Sequence, residues 1–200
     1  MKGSLTIITL FVVGLLLGLK FDALAEFCSG DLSRNILYTM MLIVGISIGC
    51  DKNALKALRS QDKRVVLLPI GTIVGTLLGA LIVYPLVSSM ELKDTMAVAS
   101  GIGYYSISSI MLTEFRGAEV GTIALLTNVT REISAILAAP LLVRFFTPLS
   151  TISAAGAASI DTLLPIITRF SGKEFAVIAI FHGLIMEITV PALVTLFMSL

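Results

Sequence analysis

Three carboxylates interrupt apolar stretches of this chain that are long enough to lie in a lipid bilayer. Glu132, Asp161 and Glu187 each fall inside such a stretch. A charge at bilayer depth costs about 2.5–3.5 kcal/mol on insertion scales, so such residues usually face a partner, a cavity or a substrate. A carboxylate in this position can hold a cation or a proton and exchange one for the other. These residues therefore predict cation exchange.

Asp161 lies in the segment Gly156–Pro165, whose small residues, Ser159 among them, allow another backbone to approach closely. A helical proline has no N–H for the carbonyl four residues earlier, which for Pro165 is that of Asp161. We therefore expect Asp161 to offer both a carboxylate and an unpaired backbone oxygen. The alternative is a proline near a helix end, with the acid at the lipid headgroups.

A second polar group interrupts a stretch that reads as one helix. Asn128, Arg131 and Glu132 have i, i+3 and i+4 spacing and share one helix face. Arg131 and Glu132 are neighbours in sequence and not facing partners, so each is expected to meet a group on another helix. The alternative is a structural charge pair that only holds helices together.

The last apolar stretch carries His182 and Glu187. His182 is either a proton-relay group or a hydrogen-bonded core histidine. Pro191 follows Glu187 by four residues, which repeats the spacing of Asp161 and Pro165. Glu187 needs a partner in either case.

The composition predicts an all-α membrane protein with several spans. The chain has 200 residues, of which 56% are hydrophobic and 14% are charged, and its mean hydropathy is +1.01. Soluble domains carry about 25% charged residues. The net charge of +1 gives no reason to expect a nucleic-acid partner.

The pattern predicts a single transmembrane domain over residues 1–200 with seven spans. The spans are residues 4–19, 35–50, 65–87, 95–113, 120–140, 149–168 and 175–200. The loop 51–64 is strongly basic, so the positive-inside rule places it in the cytoplasm. The amino terminus is then inside and the carboxyl terminus outside. Residues 88–94 are expected outside and residues 114–119 in a cytoplasmic turn.

Glycines mark two of these spans. Gly71, Gly75 and Gly79 predict a close helix-packing face in the third span. In the fourth span, Gly101 and Gly103 stand among four serines and predict a broken helix. Non-helical backbone at this depth survives only inside protein or beside a water-filled cavity. An ordinary helix with a small-residue packing face is the alternative for this span.

Mid-membrane carboxylates on broken helices are typical of secondary transporters, whose sites form near the bilayer midplane. The chain has no P-loop, so the energy for transport would come from an ion gradient. No cofactor and no metal site are predicted. An intramembrane enzyme and a non-transporting membrane subunit remain as alternatives.

The run from Thr95 to Leu200 resembles the membrane domain of the bacterial lysine exporter family, the LysO type. The resemblance covers nearly the whole chain and is strongest over the second half. It is carried by Met96–Ser106, Leu112–Glu114, Asn128 with Arg131 and Glu132, Gly156–Pro165, and His182 with Gly183.

This resemblance implies a transporter of the cytoplasmic membrane that expels L-lysine in exchange for protons. It implies a distant relation to the cation/proton antiporter fold with crossed broken helices. The family's two acids fall on Glu132 and Asp161, and its Gly-x-Gly-x-Tyr-Ser element falls on Gly101, Gly103, Tyr105 and Ser106. A sodium/proton antiporter or an exporter of another cationic metabolite is the competing expectation.

Two departures from the family pattern carry expectations of their own. Fused members have extra spans before the part that matches Met1, so we expect a small membrane partner to supply them. A homo-oligomer and contacts with membrane lipid are also expected. Glu187 is not part of the family's pattern, and a third acid could change the transported cation or the proton count.

Overall fold

The computed structural model of the protein describes residues 63–86 and 90–200. It also describes single helical residues in the amino-terminal part: Val13, Leu17, Lys20, Leu32, Asn35, Thr39, Leu42, Ile43, Ile46 and Cys50. The predicted first and second spans, and most of the basic loop after them, lie outside the described residues. Contacts divide the chain into two units, Met1–Leu42 and Ile43–Leu200. The features below belong to the second unit, and the single domain over residues 1–200 stays a prediction.

All regular structure in residues 63–86 and 90–200 is helical, which confirms the all-α prediction for these ranges. The α-helices are α1 (Leu67–Val83), α2 (Leu92–Ala99), α3 (Tyr105–Arg116), α4 (Ala118–Phe145), α5 (Pro148–Ala155), α6 (Leu164–Phe170) and α7 (Ala176–Ser199). Short 3₁₀ segments are Lys63–Val66, Tyr84–Leu86, Gly156–Ser159 and Lys173–Phe175.

Three of the described helical segments are long and apolar enough to cross a membrane. They are Leu67–Leu86, Ala118–Phe145 and Lys173–Ser199. A bilayer core needs about 20 helical residues, and each of these segments provides that length. Helix α4 continues past Pro140, where the sequence predicted the end of the fifth span. The other four α-helices are too short to cross alone.

Helices α2 and α3 fold back on each other and form helical hairpin A (92–116). Arg116 Nε lies 3.0 Å from Asp94 Oδ1, so the two outer ends of the hairpin meet. Along one continuous helix these residues would lie about 33 Å apart, at about 1.5 Å per residue. The prediction that residues 95–113 cross the membrane is therefore wrong. The predicted break is present, because α2 ends at Ala99 and α3 begins at Tyr105.

Helices α5 and α6 form helical hairpin B (148–170) in the same way. The Ser171 hydroxyl donates a hydrogen bond of 2.9 Å to the Pro148 carbonyl, which joins the two outer ends. A continuous helix would separate those residues by about 35 Å. The predicted crossing by residues 149–168 is therefore also wrong. Apolar residues of this hairpin, such as Ile152, Leu163 and Ile167, form a buried core with α4 and α7.

The two hairpins enter the molecule from opposite ends of α4, since hairpin A precedes this helix and hairpin B follows it. Residues 90–94 and 114–119 therefore lie at the same end, and the prediction that they face opposite sides is wrong. We call this the acidic end, because residues 90–94 and 114–119 contain four acids and two basic residues. Both basic side chains in these two ranges are paired, Lys93 with Glu91 and Arg116 with Asp94. The hydrogen bond and charge of Lys93 lower the pKa of Glu91.

The opposite end of α4 is rich in basic residues, and we call it the basic end. Arg144 lies in the last turn of α4, and Arg169 in the last turn of α6. Lys173 follows in the 3₁₀ segment before α7. Arg144 thus lies at the junction of α4 and α5, and Arg169 and Lys173 lie at the junction of α6 and α7.

Helix α1 makes a looser contact than its glycines predict. A side chain built at Gly71, Gly75 or Gly79 would meet no heavy atom of the described residues within 4 Å. The close packing predicted for this face is therefore not made by the part of the chain that the structure describes. Helix α1 instead meets hairpin B and α7 through polar side chains, as described below.

Candidate functional site

The tips of the two hairpins meet in the middle of the molecule. The Ala157 N–H donates a hydrogen bond of 2.9 Å to the carbonyl of Ile102. Gly103 and Gly156 have φ values of +86° and +63°, which residues with a Cβ rarely adopt. A Cβ at Gly156 would also lie 2.1 Å from the Ile102 oxygen, and one at Gly103 would lie 2.9 Å from the Ala155 oxygen. Glycine at both positions therefore lets the two tips touch.

Ile102 itself is strained. It is the one non-glycine residue of the described chain with a positive φ, at 40°, and its side chain is fully buried. A β-branched residue in this region is a genuine outlier, and such strain costs roughly 1–3 kcal/mol. Strain of this kind concentrates at functional sites, so it indicates that the tip of hairpin A is part of a functional site.

Asn128 of α4 holds the tip of hairpin A. Its Oδ1 accepts a hydrogen bond of 2.8 Å from the Gly103 N–H, and its Nδ2 donates to the Ala124 carbonyl at 2.9 Å. The side chain is buried. A Cβ at Gly101 would lie 2.5 Å from Asn128 Nδ2. Gly101 therefore makes room for this amide and does not itself line the cavity described below.

Arg131, one turn further along α4, holds hairpin B. Its Nε donates to the Ala154 carbonyl at 3.0 Å and its Nη2 to the Ser153 carbonyl at 3.1 Å. These carbonyls lie in the last turn of α5, where backbone oxygens have no partner within the helix and a cation is favourable. A third bond of 3.2 Å runs from Nη1 to Thr76 Oγ1 on α1. Arg131 thus meets other helices, as the sequence predicted.

His182 is fully buried and bonded through both ring nitrogens. The Ser159 hydroxyl donates to the Ala179 carbonyl at 2.9 Å, so its oxygen accepts from His182 Nδ1–H at 3.3 Å. The Thr72 hydroxyl donates to the Leu68 carbonyl at 3.0 Å. Its oxygen also lies 3.0 Å from His182 Nε2 and 2.6 Å from Ser153 Oγ. These contacts fasten α1 and α7 to hairpin B.

The three acids predicted from the sequence line one small cavity between the hairpin tips. Its volume is about 60 Å³, which is room for a few water molecules. Glu132 comes from α4, Asp161 from hairpin B and Glu187 from α7. Asp161 is exposed, whereas Glu132 and Glu187 are partly buried. The complete lining is Gly103, Tyr104, Tyr105, Ser106, Glu132, Ala157, Ala158, Asp161, Thr162 and Glu187.

The structure therefore divides the predicted site residues into two groups. One group lines the cavity: Glu132, Asp161, Glu187, Gly103, Tyr105 and Ser106. The other group does not line it: Asn128, Arg131, Gly101, Ser159, Pro165 and His182. Most of the second group hold the hairpin tips through the contacts given above.

One detail of the prediction around Asp161 is wrong. Pro165 lies in the first turn of α6, where a missing N–H costs nothing. The Asp161 carbonyl is not unpaired, because it accepts a hydrogen bond of 3.3 Å from the Leu164 N–H. Asp161 therefore brings its carboxylate to the cavity, without the free backbone oxygen. That carboxylate also accepts bonds from the Thr162 N–H and hydroxyl.

Four residues of the lining are not among the predicted site residues: Tyr104, Thr162, Ala157 and Ala158. Ala157 and Ala158 belong to the small residues that predicted a close approach of another backbone. Tyr104 and Thr162 directly adjoin the predicted residues Tyr105 and Asp161. In a helix such neighbours point in different directions, so a helical pattern does not predict that Tyr104 and Thr162 line the same cavity as Tyr105 and Asp161. Both lie at hairpin turns, where adjacent side chains can face the same space.

The cavity has the composition of a cation site. None of its described lining residues is Lys, Arg or His. Tyr105 and Ser106 form the first turn of α3, whose unpaired N–H groups carry a partial positive charge and suit a carboxylate. No group of three or more His, Cys, Asp or Glu side chains among the described residues could hold a metal ion.

Comparison with known proteins gives the family. The model of the lysine exporter LysO family matches residues 8–198. The chain belongs to the lysine exporter LysO family. It is 30% identical to the lysine exporter LysO of Escherichia coli (strain K12) over 97% of this chain and 64% of that protein. It is 29% identical to a protein of Haemophilus influenzae named a putative lysine exporter, over 94% of each chain.

These findings confirm the resemblance predicted from the sequence, and the family is one of transporters. The chain spans less than two thirds of the length of the E. coli relative. No solved structure matches this chain. The lysine exporter family therefore gives this molecule a transport context, while the hairpins and the cavity come from its own structure.

Proposed function

We propose that the protein exports L-lysine across the cytoplasmic membrane in exchange for protons. The observation that carries this proposal is the cavity between the hairpin tips, which three carboxylates line without a basic side chain. Membership of the lysine exporter family supports lysine as the cargo. Carboxylates at this depth can exchange a bound cation for protons, which links export to the proton gradient.

In this mechanism, the carboxylates of Glu132 and Asp161 bind the ammonium groups of lysine. The amide N–H groups at the start of α3, beside Tyr105 and Ser106, favour the lysine carboxylate because anions are stabilised at helix amino termini. After the site has switched to the outside, protons replace lysine on the acids. The protonated carrier then returns to the inside.

The size of the cavity requires a movement. A space of about 60 Å³ is far too small for a lysine molecule, so the tips of hairpins A and B must separate before lysine can enter. The two hairpins enter from opposite ends of α4, so movement of each would open the cavity toward a different side of the membrane. This gives alternating access around one site.

The charge distribution supports an orientation. Basic residues are favoured on the cytoplasmic side, so the basic end, with Arg144, Arg169 and Lys173, faces the cytoplasm. Helix α7 begins at that end and α1 runs from it, so in this proposal the carboxyl terminus lies outside. A small membrane partner and a homo-oligomer are also part of the proposal.

A second candidate is sodium/proton exchange. The small volume of the cavity favours it, because the described space would hold a small inorganic cation without any separation of the hairpin tips. Proteoliposomes distinguish the two. Lysine counterflow supports the first candidate, and a sodium-driven pH change without lysine counterflow supports the second.

The direct test is lysine efflux from cells loaded with a lysine-containing dipeptide. Asp161→Asn and Glu132→Gln should each stop efflux while the protein remains in the membrane. Glu119→Gln is the matched control, because Glu119 is an exposed acid at the acidic end and does not line the cavity. Efflux at the wild-type rate from either cavity variant would rule out the scheme.

A further inference from the structure

Glu187 lines the cavity but has no part in the binding of lysine described above. It belongs to α7, which approaches hairpin B closely. A Cβ at Gly183 would lie 2.7 Å from Ile160 Cβ and 3.0 Å from the Ala157 carbonyl oxygen. Glu187 follows Gly183 by four residues, so it lies on the same face of α7, one turn further along. The close packing at Gly183 therefore brings Glu187 to the tip of hairpin B.

The three acids lie in a definite order around the cavity. Glu187 and Asp161 lie close enough to the Tyr104 phenol for their charges to act on it. Glu132 and Asp161 act in the same way on Tyr105. Helix α3, which begins at Tyr105, packs mainly against α4, the helix that carries Glu132. Asp161 therefore lies in the middle, with Glu132 on the side of Tyr105 and Glu187 on the side of Tyr104.

This order gives each charged group of lysine a place. In the proposed function, the lysine carboxylate lies at the start of α3, beside Tyr105 and Ser106. The α-ammonium group is attached to the same carbon as the carboxylate, so it binds on that side, where Glu132 lies. The ε-ammonium group is at the far end of a flexible four-carbon chain. It therefore reaches the other side of the cavity, where Glu187 lies.

We propose that Glu187 binds the ε-ammonium group and selects lysine over amino acids that have a single ammonium group. This inference rests on the proposed function. Asp161 lies between the other two acids and contacts both ammonium groups, each of which has three N–H donors. An amino acid without the ε-ammonium group would leave Glu187 unpaired in the closed site. A polar group left unpaired in this way is what lets a site reject an analogue.

The two outer acids lie on helices that are long enough to cross a membrane. Glu132 is part of α4 and Glu187 is part of α7, whereas Asp161 is part of hairpin B. Separation of the hairpin tips moves Asp161 but leaves the spacing of Glu132 and Glu187 unchanged. The distance between the two ammonium sites is thus the same in the inward and outward states, as selection by chain length requires.

The test compares three cargoes in proteoliposomes that contain the protein, with its membrane partner if the wild type requires one. Nε-acetyl-L-lysine lacks only the ε charge, and cadaverine lacks only the carboxylate. Counterflow gives kcat/KM for each. We expect the wild type to favour lysine over Nε-acetyl-lysine by at least about 100-fold, and Glu187→Gln to reduce this preference to less than about tenfold, because it loses a charge-assisted hydrogen bond. The ratio of lysine to cadaverine should not change, since both carry the ammonium group that Glu187 binds. Glu119→Gln, an exposed acid outside the cavity, should keep both ratios.

The outcomes separate the inference from the proposed function. A Glu187→Gln protein that slows all three cargoes by one factor would show a structural role only and would overturn the inference. If this variant does not transport, the rise in its melting temperature with lysine and with Nε-acetyl-lysine measures the same preference. A preference equal to that of the wild type, or equal loss of both effects, would overturn the inference there. Absence of lysine counterflow in the wild type would overturn the proposed function itself.

Discussion

The Ala157 amide nitrogen lies 2.9 Å from the Ile102 carbonyl oxygen, and this hydrogen bond joins hairpins that enter from opposite ends of the molecule. It is a backbone bond, so no side-chain substitution removes it directly. It depends instead on the absence of a Cβ at Gly156, which lies against the same carbonyl. The contact between the two hairpin tips is therefore set by glycine.

Gly156→Ala should separate the hairpin tips. With φ 63° and ψ −132°, position 156 has a sparsely populated backbone conformation that costs about 1–3 kcal/mol in an L-residue. The new Cβ would also lie 2.1 Å from the Ile102 oxygen. We expect a lower melting temperature in detergent and loss of lysine efflux. Gly117→Ala is the first control, because it shares the positive φ but has no atom within 4 Å. Gly75→Ala is the second control, because Gly75 has neither a positive φ nor an atom within 4 Å of a Cβ built at this position. Equal effects at positions 156 and 117 would show that the clash does not matter.

The sequence predicted this meeting point only in part. The glycine and serine content of residues 99–109 indicated a break, and the small residues before Asp161 indicated a close approach. Both features are local, so composition reveals them. Which tip touches which is a long-range relationship that no local pattern reveals. The family resemblance implied crossed broken helices of the antiporter type, which stays a prediction. The contact in the described residues is between the tips of two hairpins.

Asn128→Ala should release the tip of hairpin A. The Gly103 N–H would lose its acceptor in a buried place, and a buried unpaired donor costs about 1–3 kcal/mol. We expect a destabilisation of that size and a loss of lysine efflux. Thr122→Ala is a control on the same helix, since its exposed hydroxyl bonds only to the Ala118 carbonyl. Unfolding midpoints in detergent would measure both. If Asn128→Ala unfolds at the same midpoint as Thr122→Ala, Asn128 does not hold the tip of hairpin A in place.

Arg131→Lys should fail to hold hairpin B, although it preserves the charge. The planar guanidinium reaches Ser153, Ala154 and Thr76 with three separate nitrogens, and one ammonium group cannot span them. Loss of one charged hydrogen bond costs about 1.5–3 kcal/mol. Arg144→Lys is the matched control, because Arg144 is exposed and lies over the Phe145 ring. If Arg131→Lys unfolds at the wild-type midpoint, charge alone suffices at this position.

The topology shows most clearly where sequence reasoning stopped. Residues 95–113 and 149–168 have the length and hydropathy of spans, and a window of hydropathy cannot distinguish a crossing from a hairpin of two half-helices. The distinction rests on contacts between distant positions, Asp94 with Arg116 and Pro148 with Ser171. The sequence indicated the acids that line the cavity, because an acid in an apolar stretch is visible in either topology.

Labelling of single cysteines in intact cells should separate the two topologies. After Cys28 and Cys50 have been replaced by serine, Lys93→Cys and Glu119→Cys should react with a membrane-impermeant maleimide from the same side. Phe146→Cys and Lys173→Cys should react only from the other side. Seven alternating spans predict instead that positions 93 and 119 differ, and that positions 146 and 173 differ.

The pair at 93 and 119 is decisive, because residue 93 lies in the first turn of hairpin A and residue 119 lies just after its end. Both sites are exposed or partly exposed, so lack of burial favours reaction at each. Labelling of one from outside and the other only after permeabilisation would show that hairpin A crosses the membrane. Hairpin A could then not open the cavity toward the acidic end, and the mechanism of alternating access proposed above would be wrong.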